Sequence, residues 1–84
     1  MSELDKLRLE INNIDNNIMD LLSERMKVSS KVGEYKRKNN MEVYDSTREK
    51  KLIERLINYN NMDEEFIKDL WNTIMKYSKD VQNN

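Results

Sequence analysis

From Leu4 to Tyr35, apolar side chains recur every three or four residues, and no proline and only one glycine interrupt the 84-residue chain. Spacings of three and four return to one face of an α-helix, so Leu4, Leu7, Ile11, Ile14, Ile18, Leu21, Val28, Val32 and Tyr35 form a heptad seam. One residue on that seam is not apolar: Arg25. The pattern predicts a first helix from about Leu4 to about Lys38. At about 1.5 Å per residue it would be roughly 50 Å long, more than a compact monomer of this size spans. A rod of that length needs something packed beside it.

Two shorter helices follow. Asn39 and Asn40 tolerate the backbone that ends a helix, and Asp45, Ser46 and Thr47 offer caps for the next. Ser46 and Glu49 have capping-box spacing, and the second helix is expected to run through Leu52, Ile53, Leu56 and Ile57 to Asn60-Asn61. Asp63, Glu64 and Glu65 suit the positive end of a third helix, whose inward face is read as Ile67, Leu70, Trp71, Ile74, Ser78, Val81 and Gln82. The expectation is a single all-α domain over residues 1–84.

Composition removes several functions. The 15 basic and 16 acidic residues nearly cancel, so there is no broad positive field for nucleic acid or anionic lipid. Without His or Cys, the usual nucleophilic triads, zinc sites and disulfides are excluded. No apolar run approaches the roughly 18 residues of a membrane span, and MSELDKLRLE is too polar for a signal peptide. A soluble, cytoplasmic protein without membrane or nucleic-acid partners is expected. No metal or cofactor is expected either.

Each helix breaks its apolar face with polar residues. Lys36 follows Arg25 by close to three turns, so the two project from nearly one side about 16 Å apart. Asp45, Arg48, Glu49, Leu52 and Leu56 share one stripe of the second helix, and Ile74, Ser78 and Gln82 one stripe of the third. Taken singly, each has a plainer explanation. Arg25 fits a buried ion pair or a register-setting residue, Lys36 an exposed lysine, and Asp45 a cap. Ser78 fits a helix crossing, Arg48-Glu49 a surface pair, and Gln82 a fraying end. Taken together they describe a cationic, hydrogen-bonding cavity poor in proton-transfer groups. An arginine fork matches a carboxylate and a lysine supplies a compact charge, so the cavity suits a small dianion.

These residues resemble the all-helical chorismate mutases, in particular the mutase domain of bacterial chorismate mutase-prephenate dehydratases. The likeness runs from LDKLRLEINNIDNNIMDLLSER through VGEYKRKN and YDSTREKKLIERL to YSKDVQ. Its polar signature is Arg8, Arg25, Lys36, Asp45, Arg48, Glu49, Ser78 and Gln82. The segment around Asn58 to Met62 is shorter than in that domain.

The resemblance implies conversion of chorismate to prephenate, on the route to phenylalanine and tyrosine, with no cofactor and no covalent enzyme intermediate. Arg8 and Arg25 would bind the two substrate carboxylates, with Ser78 assisting one. Lys36 and Gln82 would donate to the ether oxygen. Glu49 with Asp45 would hold the ring hydroxyl, and Arg48 would orient this group. Arg8 and Lys36 lie 28 residues apart on one helix, about 42 Å along its axis, too far to reach one small molecule from one chain. The expectation is therefore an intertwined antiparallel homodimer in which Arg8 comes from the neighbouring chain. Two alternatives stay open at this point: isochorismate-pyruvate lyase, which shares the fold and a similar pocket, and a non-catalytic helical dimerisation or regulatory module.

Overall fold

A computed structural model describes residues 1–84 as three α-helices and no strand. Helix α1 spans Glu3–Lys38, α2 Ser46–Ile57 and α3 Glu64–Gln82. Helix α1 is longer than the rest of the molecule is wide: the chain measures 57 × 25 × 15 Å.

The caps explain the boundaries. Ser2 opens α1, its Oγ accepting from the Asp5 backbone N–H at 3.1 Å, so the helix starts one residue before the expected Leu4. At the other end, Asn40 takes a positive φ of 54° and the Met41 N–H donates back to the Lys36 carbonyl at 2.8 Å. That left-handed turn stops the helix and sends the chain back.

Helix α2 is capped by Asp45, whose Oδ1 accepts from the Arg48 N–H at 3.0 Å. The expected Ser46–Glu49 capping box does not form, because Ser46 is already helical and the Glu49 carboxylate pairs elsewhere. Helix α2 also ends at Ile57, short of Asn60-Asn61. The Asn58 side chain donates to the Glu54 carbonyl at 2.9 Å, and Asn60 Oδ1 accepts from the Met62 N–H at 3.1 Å, turning the chain. Asp63 caps α3 through the Phe66 N–H at 2.9 Å.

Helix α3 is the centre of the molecule. It packs on α1 and on α2, whereas α1 and α2 do not pack on each other. The buried apolar side chains are few: Leu52, Ile67, Ile74 and Met75. Met75 was not among the expected inward residues, and Leu70, which was, stays 38% exposed.

The contact between α1 and α3 is also not made by the long seam. Helix α1 buries Ser29 and Gly33 against α3, with Leu22 and Met26 half-buried on the neighbouring stripe. Along the seam itself, Leu4, Leu7, Ile11, Ile14, Ile18 and Leu21 lie between 46% and 63% exposed. A helix with two adjacent apolar stripes has used one inside the chain and left the other open. No helix is long and apolar enough to cross a membrane.

Candidate active site

Because α1 and α2 touch only through α3, a cleft remains between them. It forms a cavity of about 490 Å³. Helix α1 contributes Arg25, Val28, Ser29, Val32 and Lys36, and the turn before α2 contributes Val43 and Asp45. Arg48, Glu49 and Leu52 come from α2, and Met75, Ser78, Lys79 and Gln82 from α3. Of the residues singled out in the sequence, Arg25, Lys36, Asp45, Arg48, Glu49, Ser78 and Gln82 all line this one space. Arg8 does not. It sits in the exposed amino-terminal part of α1, 28 residues before Lys36.

Arg25 is in no ion pair, and its Nη1 is buried without a hydrogen-bond partner. Loss of water around the guanidinium, followed by repulsion from Arg48, pushes its pKa down from the usual arginine value. An unpaired donor in that position is costly to the fold, and a neighbouring anion would satisfy it. Lys36 is half-buried, not exposed, and one of its three ammonium donors goes to the Val43 carbonyl at 2.9 Å. The others are free for the cavity.

Asp45 is a cap and a cavity residue at once, since one carboxylate oxygen holds the α2 terminus. Glu49 does not pair with Arg48. Its Oε2 lies 3.0 Å from Lys79 Nζ, on the opposite wall, and Lys79 sits 4.8 Å from the centre of the Tyr44 ring. Ser78 is buried, its Oγ 2.6 Å from that of Ser29. Gln82 is no fraying end. Its backbone carbonyl accepts from Arg37 Nη1 at 2.6 Å, while its side-chain Oε1 is buried without a partner.

Lys79 and Ser29 were missed in the sequence. The pairing of Glu49 with Lys79 joins residues on different helices and leaves no local trace. Ser29 did leave one: with Gly33 it makes a pair of small residues one turn apart, the pattern of a close helix contact.

The cavity therefore carries four cations, Arg25, Lys36, Arg48 and Lys79, against the two carboxylates Asp45 and Glu49. Its polar atoms Arg25 Nη1 and Gln82 Oε1 lack partners. It offers no thiol or imidazole that would act as a nucleophile. Such a lining is chemically suited to a small anion held by shape and charge.

A helical domain with a cation-rich pocket shared among three helices is thus the class that fold and site define. Within that class the chain belongs to the chorismate mutase type II family, whose sequence pattern matches residues 7–83. It is 41% identical over 80 residues to the bifunctional chorismate mutase/prephenate dehydratase of Buchnera aphidicola subsp. Schizaphis graminum, covering 92% of this chain and 21% of that protein. It is 40% identical over 60 residues to the protein of the same description from Aquifex aeolicus, covering 71% of this chain and 17% of the other. The chain spans about a fifth of the length of these curated relatives. Among solved structures, a conserved hypothetical protein from Pyrococcus furiosus superposes with a TM-score of 0.82 at 30% identity, covering 98% of this chain and 97% of that one.

Proposed function

We propose that this domain is a chorismate mutase, an isomerase that rearranges chorismate to prephenate as part of aromatic amino acid biosynthesis. The reaction breaks one carbon–oxygen bond while one carbon–carbon bond forms within a single molecule, so the protein needs no nucleophile. It must select a compact conformer of a flexible dianion and stabilise charge that grows on the ether oxygen. The observation that carries the reading is Arg25: a half-buried guanidinium with no counterion, facing a cavity in which cations outnumber carboxylates.

Arg25 takes one substrate carboxylate through its planar fork, and Ser78 lends a hydrogen bond. Lys36 and the Gln82 amide serve the ether oxygen from α1 and α3, the two walls between which the substrate lies. Each donor aimed at a developing oxyanion contributes about 3–4 kcal/mol to the barrier reduction. Glu49, with Asp45, accepts from the ring hydroxyl. Arg48 lies beside them at the start of α2.

The second carboxylate is assigned to Arg8, as the resemblance to this family implies. Within one chain it stands about 42 Å along the helix from Lys36. An antiparallel pair of α1 helices brings Arg8 of each protomer to the other's cavity, giving two equivalent sites. The open seam supports this homodimer. Full burial of a leucine or isoleucine contributes roughly 1.5–3 kcal/mol, so six half-exposed residues on each of two chains offer on the order of 10 kcal/mol before the cost of association. That is of the same order as what the four buried apolar residues supply within the chain.

The direct experiment incubates the purified chain with chorismate, follows its loss by absorbance and identifies the product. Prephenate is expected. No turnover of chorismate, or turnover of isochorismate to pyruvate and salicylate instead, would overturn the assignment.

A further inference from the structure

Helix α1 touches α3 through a row that the catalytic reading does not use. Ser29, Gly33 and Arg37 are spaced by four residues on α1, and they meet Ser78 and Gln82, also spaced by four, on α3. Spacings of four place each set along one ridge, and such ridges are what two helices interlock. We propose that Ser29, Gly33 and Arg37 are positioning residues that set the Ser78 hydroxyl and the Gln82 amide in the active site.

Each contact has a distinct physical role. Gly33 is one of the few buried residues of α1, and a Cβ placed there would come within 2.6 Å of Gln82 Cα and 2.9 Å of its carbonyl carbon, and closer still to its oxygen. These are backbone atoms and cannot swing aside. Glycine therefore fixes how near the end of α3 approaches α1.

Arg37 closes the same junction from the next turn. The Gln82 carbonyl lies in the last turn of α3, where no intrahelical N–H follows, and Arg37 Nη1 satisfies it at 2.6 Å. A cation there also suits the negative end of the helix dipole. The amide of Gln82 is thereby carried on a backbone tied at two points, which a residue at the end of a helix otherwise lacks.

Ser29 acts one turn earlier. The two buried hydroxyls are 2.6 Å apart. When Ser29 donates, Ser78 accepts from it and keeps its own proton for a carboxylate oxygen in the cavity. Without Ser29 the Ser78 hydroxyl has no buried partner to set its torsion.

The proposal rests on the mutase reading for its kinetic test, and a second readout is independent of activity. Arg37→Met is the first variant, because Arg37 is exposed and its loss leaves the core intact. Its kcat is expected to fall about 3- to 10-fold with KM changed less, and Arg37→Lys recovers part of the loss. Gly33→Ala displaces the α3 terminus, and a shift near 1 Å costs up to about 100-fold in kcat. The decisive measurement is coupling: in a Gln82→Ala background both substitutions are expected to cost nothing further in kcat. Ser29→Ala is likewise expected to be silent once Ser78→Ala is present.

Equal fold-losses in both backgrounds would overturn the proposal, since a general loss of packing adds regardless of Gln82. Independently of turnover, the side-chain NH₂ signals of Gln82, assigned by their absence in Gln82→Ala, are expected to move in Arg37→Met. Unchanged Gln82 signals in Arg37→Met would also overturn it. An inactive parent chain whose Gln82 signals respond to Arg37→Met would instead remove the mutase reading and leave the positioning contact standing.

Discussion

The two halves of α1 share one open apolar seam, with Val28 and Tyr35 as exposed as Leu4 and Leu21, but only the second half adds a stripe that packs inside the chain. From Leu22 onward the helix packs on α3, buries Ser29 and Gly33 and turns Arg25 and Lys36 into the cavity. From Leu4 to Leu21 every residue is exposed, and every seam residue stays close to half exposed or more. Periodicity reports that a face is apolar. It does not report what covers it, because a hydrophobic stripe lowers the free energy equally against its own chain or another. The carboxyl-terminal half lines the candidate site, and the amino-terminal half is the surface on which the proposed second protomer would pack.

The strongest way to break that contrast is to charge the half that lines no site. Ile14→Asp with Ile18→Asp is expected to abolish dimers in light scattering and to take activity below detection, although neither residue borders the cavity. An active monomer would end the claim that the site is shared.

Next in size is the opposite half. Arg25→Leu is expected to lower kcat/KM by about 10²- to 10³-fold. Its melting temperature should be equal to or above that of the parent, because a half-buried unpaired cation is removed. The sign of the pH effect agrees. Burial and Arg48 depress the folded pKa of Arg25, so the unfolded chain binds more protons between the two values and the fold gains stability as pH rises through them. That window is strongly alkaline; below it Arg25 remains a cation, and its cost to the empty fold is constant. A dianionic ligand should raise the parent's melting temperature and leave that of Arg25→Leu nearly unmoved.

Gln82→Glu sharpens the comparison at α3. A neutral amide donates at any pH, whereas a carboxyl group donates only when protonated. Activity near neutrality should fall roughly 10-fold or more and recover on acidification. A flat profile would remove Gln82 from the ether oxygen.

Mixing Arg8→Ala with Lys36→Ala joins the two halves in one assay. Each mixed dimer holds one intact site and one doubly deficient site, so random exchange should restore about a quarter of parental activity from two inactive proteins. Failure to recover would argue that each cavity is complete within its own chain.

The smallest expected effect is at Lys79. Lys79→Met removes the 3.0 Å partner of Glu49 and the cation over Tyr44. A partly exposed ion pair contributes modestly, so a loss of about threefold in kcat/KM is expected, with the fold retained.

The helices and most of the candidate pocket were legible because they depend on spacing. Seam residues at three and four and polar residues on helical stripes are consequences of 3.6 residues per turn, and the cap at Asp45 follows from its short acceptor side chain before a helical run. The misses have a common cause. Glu49 was read as part of a capping box because Ser46 is near in sequence, whereas Lys79 captured it across the cavity. The α1–α3 contact leaves no apolar trace, because the small residues Ser29 and Gly33 let α3 approach more closely than bulky side chains allow. Met75 was overlooked because burial at the α2–α3 contact depends on where α2 lies.

What the sequence determined alone was therefore local: three helices, their ends to within a few residues, and an arginine and a lysine on one side of the first. Only the tertiary structure decided that Lys79 closes on Glu49, that Gln82 is tied to Arg37 at the end of α3, and that half of α1 remains uncovered. The reason is the range of the forces involved. Helical hydrogen bonds and caps connect residues at most a few positions apart, whereas close packing and charge pairing join residues tens of positions apart, and their partners exist only once the chain has folded.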